Sequence, residues 1–251
     1  MTQAPSPSPN PSSGPPVRRA DALPVVLVPG LLTSPRLYGP QLPMLWQSGP
    51  TVIADNTRDD SMAAIASSIL AAAPPRFALV GLSMGGYISF EIMRQAPGRV
   101  AKLALLNTSA RPDTSEQIER RRGQLARTAA GRFDEIPGEQ FPLLFHPDHL
   151  GIEEFREITR LMAWETGPEG FVRQQRAIIA RPDSRPGLGA ITCPTLVLAG
   201  DTDRLLPPED SFEMADAISK ARLVVVPECG HLSTLDQPRA TTDALRRWLA
   251  D

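Results

Sequence analysis

The feature that most limits the possible folds of this chain is a regular alternation of short apolar runs and longer amphipathic stretches, beginning near Leu23. Each apolar run is nearly continuous in Val, Leu, Ile and Ala and is bounded by Gly, Pro, Asn or Asp. Parallel strands that are covered on both faces have this composition. The runs predict six strands, at residues 24–28, 51–54, 77–80, 100–106, 195–199 and 223–226.

The stretches between these runs have helical periodicity and recognisable helix ends. Asp59, Asp60 and Ser61 supply capping side chains for one stretch, and Pro97 with Gly98 ends the next. Strands that alternate with helices predict an α/β fold, with a doubly wound, mostly parallel sheet and right-handed crossovers. The predicted helices cover residues 37–47, 61–73, 84–95, 209–220 and 238–250.

The alternation is interrupted between Leu106 and Thr195, where nearly ninety residues contain no convincing strand. Helical spacing is present at 116–127, 152–164 and 170–180, and Pro and Gly residues separate these stretches. The pattern predicts a helical cap inserted into the core. The predicted organisation is a core over residues 21–110 and 187–251, with the cap at 111–186.

The first sixteen residues contain six prolines and four serines and no large apolar residue after Met1. Such a segment buries too little surface to offset its chain entropy, so residues 1–20 are predicted to form a disordered tail. The segment has no apolar core of the kind that secretory signals need. The sequence therefore predicts a cytoplasmic protein.

Composition excludes several classes of function. Of the 251 residues 41% are hydrophobic, which is enough for a full core, and no run approaches the about 20 apolar residues of a membrane span. The formal charge of -2 gives no reason to expect nucleic-acid binding. Cys193 and Cys229 lack metal-ligand spacing and are predicted to be small buried residues, so neither a metal site nor a cofactor is expected.

A G-x-S-x-G turn follows the third predicted strand and precedes a predicted helix, with Ser83 at its centre. A serine on such a strained turn projects its hydroxyl above the sheet, and Gly81 and Gly85 let neighbouring backbone pass. The N–H of Met84 and the helix dipole then face a developing oxyanion. A phosphate-binding loop is the alternative, but the turn lacks the lysine and the glycine spacing of such loops.

With this turn in place, the chain resembles the α/β-hydrolase superfamily, in its compact single-cap branch of esterases, over about residues 24–250. The resemblance implies a catalytic histidine after the last strand, where Gly230 precedes His231; His146 and His149 lie in the predicted cap. It also implies an acid after the penultimate strand. Asp203 matches the family spacing, whereas Asp201 and Asp210 are less well placed.

The resemblance further implies a backbone N–H that binds the oxyanion together with Met84, and Leu31 occupies that position. The chain departs from the family pattern here, because Pro29 stands where a histidine usually precedes the glycine. That departure leaves the bracing of the loop unexplained. A second departure is that no antiparallel hairpin precedes Pro24.

These residues predict a serine hydrolase that acts on small or medium, largely uncharged carboxylic esters, with Leu32, Phe145 and Trp164 as pocket candidates. Two alternatives remain open. The same three residues could serve lactone, thioester or C–C bond hydrolysis or perhydrolysis, or the fold could bind a ligand without hydrolysing it. The expected partner is a small-molecule ester, and neither nucleic acid nor a membrane is expected; the oligomeric state is not predicted.

Overall fold

A computed structural model describes residues 22–251, so the predicted disordered tail lies outside the described residues. Within them, the strands are β1 Val25–Val28, β2 Thr51–Ile53, β3 Phe77–Leu82, β4 Val100–Leu106, β5 Thr195–Gly200 and β6 Ala221–Val226. These six strands form one entirely parallel sheet in the order β2-β1-β3-β4-β5-β6. This confirms the predicted fold class.

The central strands are almost entirely apolar because both faces of the sheet are covered. Val25 and Leu27 of β1 pack into the core on one face, and Val26 and Val28 pack into the core on the other. The helices are α1 Leu42–Ser48, α2 Met62–Ala72, α3 Met84–Gln95, α4 Ser115–Ala129, α5 Glu135–Leu144, α6 Glu153–Ile179, α7 Pro208–Ala217, α8 Ser233–Asp236 and α9 Pro238–Ala250. Helices α1 and α9 lie on the first face, and α2, α3 and α7 on the second.

Two predicted helices differ from the observed ones by more than one residue in their bounds, whereas α2 is one residue shorter at each end than predicted. The stretch 37–47 is divided into a 3-10 helix, Pro35–Gln41, followed by α1. Pro40 has no N–H to donate within this stretch, which disfavours one regular α-helix. The stretch predicted at 209–220 is α7, which ends at Ala217, because Ile218 is already extended and leads into β6.

The segment between β4 and β5 contains three helices, α4, α5 and α6, and no strand. A capping box starts α4, in which Thr114 and Gln117 each bind the other's backbone N–H. Helix α6 is broken at Gly167, where φ is 67°, and Pro168 starts its second half. Gly167 therefore supplies a backbone conformation that other residues adopt only with strain.

We find no helix among residues 22–251 with the length and apolar character needed to cross a lipid bilayer.

Candidate active site

Ser83 lies on the turn that joins β3 to α3, and its φ of 56° is in the left-handed region. The turn is closed by a backbone bond from Gly86 to Ser83 of 2.8 Å. A side chain could not replace the flanking glycines, because a Cβ on Gly85 would lie 2.0 Å from the carbonyl oxygen of Val28, and one on Gly81 would lie 2.3 Å from that of Gly85. Close backbone packing thus explains both glycines of the motif.

His231 brings an imidazole to this serine. Its Nε2 lies 2.8 Å from Ser83 Oγ, and its Nδ1 lies 2.8 Å from Asp203 Oδ2. The histidine and the aspartate are both buried, whereas Ser83 remains partly open. Because a buried carboxylate accepts the Nδ1 proton, Nε2 is left as an acceptor for the serine hydroxyl. The structure thus brings together the three residues that the sequence placed after β3, β5 and β6.

Asp203 is held in a position that leaves one oxygen for the histidine. Its Oδ1 accepts the backbone N–H groups of Leu205 and Leu206, at 2.9 and 3.0 Å. Its Oδ2 accepts from His231 and also from Asn107 Nδ2, at 3.1 Å. The carboxylate therefore has a defined orientation, and Asn107 supports it from the end of β4.

The neighbouring Asp201 binds backbone groups instead of the histidine. Its carboxylate accepts the backbone N–H groups of Glu228 and Cys229, both at 3.1 Å. Although partial burial opposes the effect, these hydrogen bonds and one from Thr202 hold the pKa of Asp201 below its usual value. Asp201 thus fastens the loop that leads to His231 and does not contact the imidazole.

The loop after β1 presents a backbone donor beside the serine. Leu31 and Met84 both line the cavity next to Ser83, and neither N–H donates to another residue of the described chain. The N–H of the next residue, Leu32, is occupied by Gln174 Oε1 at 3.2 Å. The open donors are therefore those of the two residues that the sequence indicated.

Two side chains that the sequence reasoning missed brace this loop. Asn56 donates to the carbonyl oxygen of Pro29 at 2.8 Å, and Gln174 Nε2 donates to Asn56 Oδ1 at 2.9 Å. With its bond to Leu32, Gln174 of α6 ties the insertion to the loop. No sequence motif marks either residue, because Gln174 contacts Leu32 and Asn56 from more than a hundred residues away, and Asn56 reaches Pro29 across 27 residues. These bonds brace the loop in which Pro29 stands.

Asp236 is a third missed residue, and it holds the backbone directly before His231. Its Oδ2 accepts the N–H groups of Gly230 at 2.6 Å and His146 at 2.8 Å. Its Oδ1 lies 2.6 Å from His149 Nδ1. The side chain is fully buried. One carboxylate thus joins the loop of the proposed base to the segment after α5.

We expect Asp236→Ala to lower kcat about ten-fold with little change in KM, because the backbone that positions His231 loses its anchor. Asp236→Asn should retain most of the activity. Its carbonyl oxygen can still accept from Gly230 and His146, and its amide can face His149 after a change of tautomer. Steady-state kinetics below the melting temperature of each variant would test this. Equal losses in the two variants would contradict a positioning role.

A cavity of about 180 Å³ opens at Ser83 and His231. At about 30 Å³ per water molecule this volume corresponds to about six waters, which is room for a small or medium ligand. Most of its lining is apolar, from the core and from α5 and α6, and Leu32 is part of it, as predicted. The principal apolar lining residues are Leu31, Leu32, Leu143, Leu144, Met162, Ala163, Ile178, Leu205, Leu206 and Leu232.

The structure corrects the other two pocket predictions. Phe145 is fully buried in the core, where it stacks on Phe155 with ring centroids 4.4 Å apart, and it does not line the cavity. Trp164 is 74% exposed. Since a helix turns about 100° per residue, Trp164 leaves α6 away from Met162, which does line the cavity.

Neither cysteine is placed for chemistry. Burial, together with the nearby carboxylates of Asp236, Asp203 and Asp201, raises the pKa of the Cys229 thiol far above its usual value. Cys193 is half-buried, and desolvation raises its pKa as well. Among residues 22–251, no three His, Cys, Asp or Glu side chains lie together as ligands for a metal ion.

Comparison with known proteins agrees with this architecture. The model of the alpha/beta hydrolase family matches residues 25–244. A Variovorax paradoxus protein that bears the name "Putative carbamate hydrolase RutD" is 29% identical over 92% of this chain and 93% of its own length. A thermophilic esterase from Thermogutta terrifontis, solved with malate bound, is 33% identical, with a TM-score of 0.83 over 91% of this chain and 89% of its own.

A third similarity concerns the fold alone. The enol-lactonase from Burkholderia xenovorans superposes with a TM-score of 0.85 over 92% of this chain and 93% of its own, at 24% identity. All of these matches extend over the sheet and over the segment between β4 and β5.

Proposed function

Because the chain belongs to the alpha/beta hydrolase family and is a hydrolase of that fold, we propose that it cleaves small or medium carboxylic esters with Ser83, His231 and Asp203 as catalytic triad. The observation that carries this proposal is the pair of 2.8 Å contacts that join the three side chains. The 33% identity to a solved esterase supports ester hydrolysis in particular. In this proposal the protein is a carboxylesterase.

The geometry supports acyl transfer in two halves. Ser83 Oγ attacks the ester carbonyl carbon while His231 Nε2 takes its proton, and the tetrahedral intermediate collapses when the imidazolium returns that proton to the leaving alkoxide. Water then attacks the acyl-enzyme with the same histidine as base, which releases the acid and regenerates Ser83. Asp203 stabilises the imidazolium in both halves. This chemistry needs no cofactor and no metal ion.

The oxyanion is assigned to two backbone donors, the N–H groups of Leu31 and Met84. Both are open to the cavity, and Met84 opens helix α3, whose dipole also favours negative charge at that end. Removing one such donor typically costs about 10²- to 10³-fold in kcat. The hydrogen bonds from Asn56 and Gln174 hold the loop that contains Leu31. The Leu31 donor is therefore in place before the substrate binds.

We also propose that the helices between β4 and β5, within residues 111–186, act as a cap over the site. They contribute Leu144, Met162 and Ala163 to the cavity wall, so they limit the size of the group that can reach Ser83. The cytoplasmic location of the protein, too, stays a prediction.

A panel of 4-nitrophenyl esters of increasing acyl length, combined with fluorophosphonate labelling, would test the ester proposal. We expect turnover of short and medium acyl chains and one covalent adduct, on Ser83. Turnover of lactones, thioesters or C–C substrates with no ester turnover would assign the same triad to that reaction. A folded protein that neither turns over an ester nor takes up the label would refute the proposal.

A further inference from the structure

One wall of the cavity is basic, although the sequence led us to expect a largely uncharged substrate. Helix α4 contributes three arginines and two glutamines to the lining, whereas the only acidic lining residue is Glu139. The lining residues from α4 are Gln117, Arg120, Arg121, Gln124 and Arg127. Ester hydrolysis as proposed uses none of them, so they need another explanation.

Two of the three arginines have carboxylate partners inside the protein. Arg127 forms an ion pair with Glu139, which cancels its charge. Arg121 binds Asp113 at 2.6 Å, but Asp113 also binds Arg181 at 2.9 Å. One carboxylate between two guanidinium groups leaves a net positive charge behind this wall.

Arg120 adds a further positive charge. Among residues 22–251 no carboxylate lies within 4.0 Å of its guanidinium. Glu119, its neighbour on α4, pairs with Arg122 instead, at 3.6 Å. Glu116, one helical turn earlier, forms no ion pair with Arg120 either. Arg120 is exposed and lines the cavity, so its charge is available to a ligand.

The same network orients the amide of Gln124. Arg121 Nη1 donates to Gln175 Oε1 at 2.9 Å, so the amide nitrogen of Gln175 must point the other way, and it donates to Gln124 Oε1 at 2.7 Å. Gln124 is 5% exposed, and its Nε2 has no acceptor among residues 22–251. Since Gln124 lines the cavity, this amide N–H donor is open to a ligand there.

From these contacts we propose that the α4 wall is a carboxylate-binding subsite, so that the preferred ester substrate carries a second, ionised carboxylate. The inference rests on the proposed function of the same site. The Arg120 guanidinium and the Gln124 Nε2 donate to the carboxylate, and the positive excess around Asp113 adds long-range attraction. The apolar lining between this wall and Ser83 accommodates a short methylene chain.

Binding of a carboxylate here depends on whether the donors of the α4 wall compensate for the water that the carboxylate loses. A carboxylate that enters an apolar cavity loses its hydration, which is costly unless donors replace the water. Here an unpaired guanidinium and a preoriented amide replace it, and charge-assisted hydrogen bonds of this kind are about twice as strong as neutral ones. The apolar tail of a neutral ester offers no acceptor to the Gln124 donor. The wall thus favours the anion over a neutral molecule of the same shape.

Matched substrates would test this subsite. The 4-nitrophenyl monoester of adipic acid is an anion, and 4-nitrophenyl 6-methylheptanoate is its neutral isostere, with an isopropyl group in place of the carboxylate. We expect kcat/KM for the anion to exceed that of the isostere at low ionic strength, and the preference to shrink as salt screens the charges.

The variants are Arg120→Gln and, as matched control, Arg122→Gln, which removes an exposed arginine from the same helix that does not line the cavity. Arg120→Gln should lower kcat/KM for the adipate monoester about ten-fold and leave that for 6-methylheptanoate unchanged. Arg120→Glu should lower kcat/KM for the adipate monoester further. Arg122→Gln should affect neither substrate.

A binding measurement separates this proposal from the proposed ester hydrolysis. Monomethyl adipate and neutral dimethyl adipate are titrated calorimetrically into the Ser83→Ala protein, with and without Arg120→Gln. Anion-selective turnover or binding that depends on Arg120 supports the subsite, even if no nitrophenyl ester is cleaved. If neither turnover nor binding responds to Arg120→Gln, the subsite is refuted, while Ser83-dependent hydrolysis of neutral esters would leave the proposed function standing.

Discussion

Replacing Ser83 with alanine is expected to lower kcat for ester hydrolysis by about 10⁶-fold, the scale of loss seen when a Ser-His-Asp enzyme is deprived of its nucleophile. The protein should still fold, because the hydroxyl of Ser83 binds only His231 and alanine tolerates the positive φ as well as serine does. Burst kinetics with a 4-nitrophenyl ester, which reports the acyl-enzyme, would measure the effect and should show no burst in the variant.

His231→Ala should cause a similar loss, because no other imidazole among residues 22–251 contacts Ser83. The double variant should be no slower than either single variant, since serine and histidine act as one unit. Ser89→Ala is the matched control. It removes a buried hydroxyl from α3, the helix that follows Ser83, and among residues 22–251 this hydroxyl binds only the carbonyl oxygen of Gly85. Residual activity of a few per cent in Ser83→Ala would point to another nucleophile.

Asp203→Asn is the second large effect, with an expected loss of about 10³- to 10⁴-fold in kcat. The hydrogen bonds around the Asp203 side chain explain why this substitution lowers kcat. Leu205 and Leu206 donate to Oδ1, so the carbonyl oxygen of the new asparagine must stay there. Its amide nitrogen then faces His231 Nδ1, which has to become an acceptor. The proton moves to Nε2, and that nitrogen can no longer accept the proton of Ser83.

Asp201→Asn and Asp210→Asn are the controls for this variant. Asp201 binds backbone N–H groups of the loop before Gly230, and Asp210 lies 3.5 Å from Arg111. Neither touches the imidazole, so we expect kcat to remain within about three-fold of the parent. If Asp201→Asn instead abolished turnover while Asp203→Asn did not, the acid would have been assigned to the wrong residue.

Much of the fold could be predicted from the chain because its signals are local. Apolar runs bounded by Gly, Pro, Asn or Asp indicated six strands, and α3 and α9 were predicted at their observed bounds. The predicted helix bounds were wrong where tertiary contacts or a proline determine them, as at Pro40 and at the end of α7. The sequence also restricted the choice of base, since only three histidines exist and one of them lies in the loop after the last strand.

The site could be predicted only in part. Ser83, Asp203 and His231 each stand in a short recognisable context at the end of a strand, and parallel strands bring such ends to one edge of the sheet. Phe145 and Trp164 were wrongly assigned to the pocket, because residue type and spacing do not tell which side of the segment between β4 and β5 faces the cavity. Asn56, Gln174 and Asp236 were missed for a related reason, since their contacts join segments that no local motif links.

The sequence by itself therefore determined the α/β architecture, the helical insertion between β4 and β5, and the G-x-S-x-G turn with Ser83, because periodicity, turn chemistry and residue type are local properties; Asp203 and His231 followed from the family resemblance that this turn supports. Only the tertiary structure decided which donors stay free, how the loop around Leu31 is braced, and that Arg120 faces the cavity without a carboxylate partner. Those properties depend on which side chains meet in three dimensions, some of them across more than a hundred residues of chain. In a cavity such pairings leave some charges satisfied and others open to a ligand.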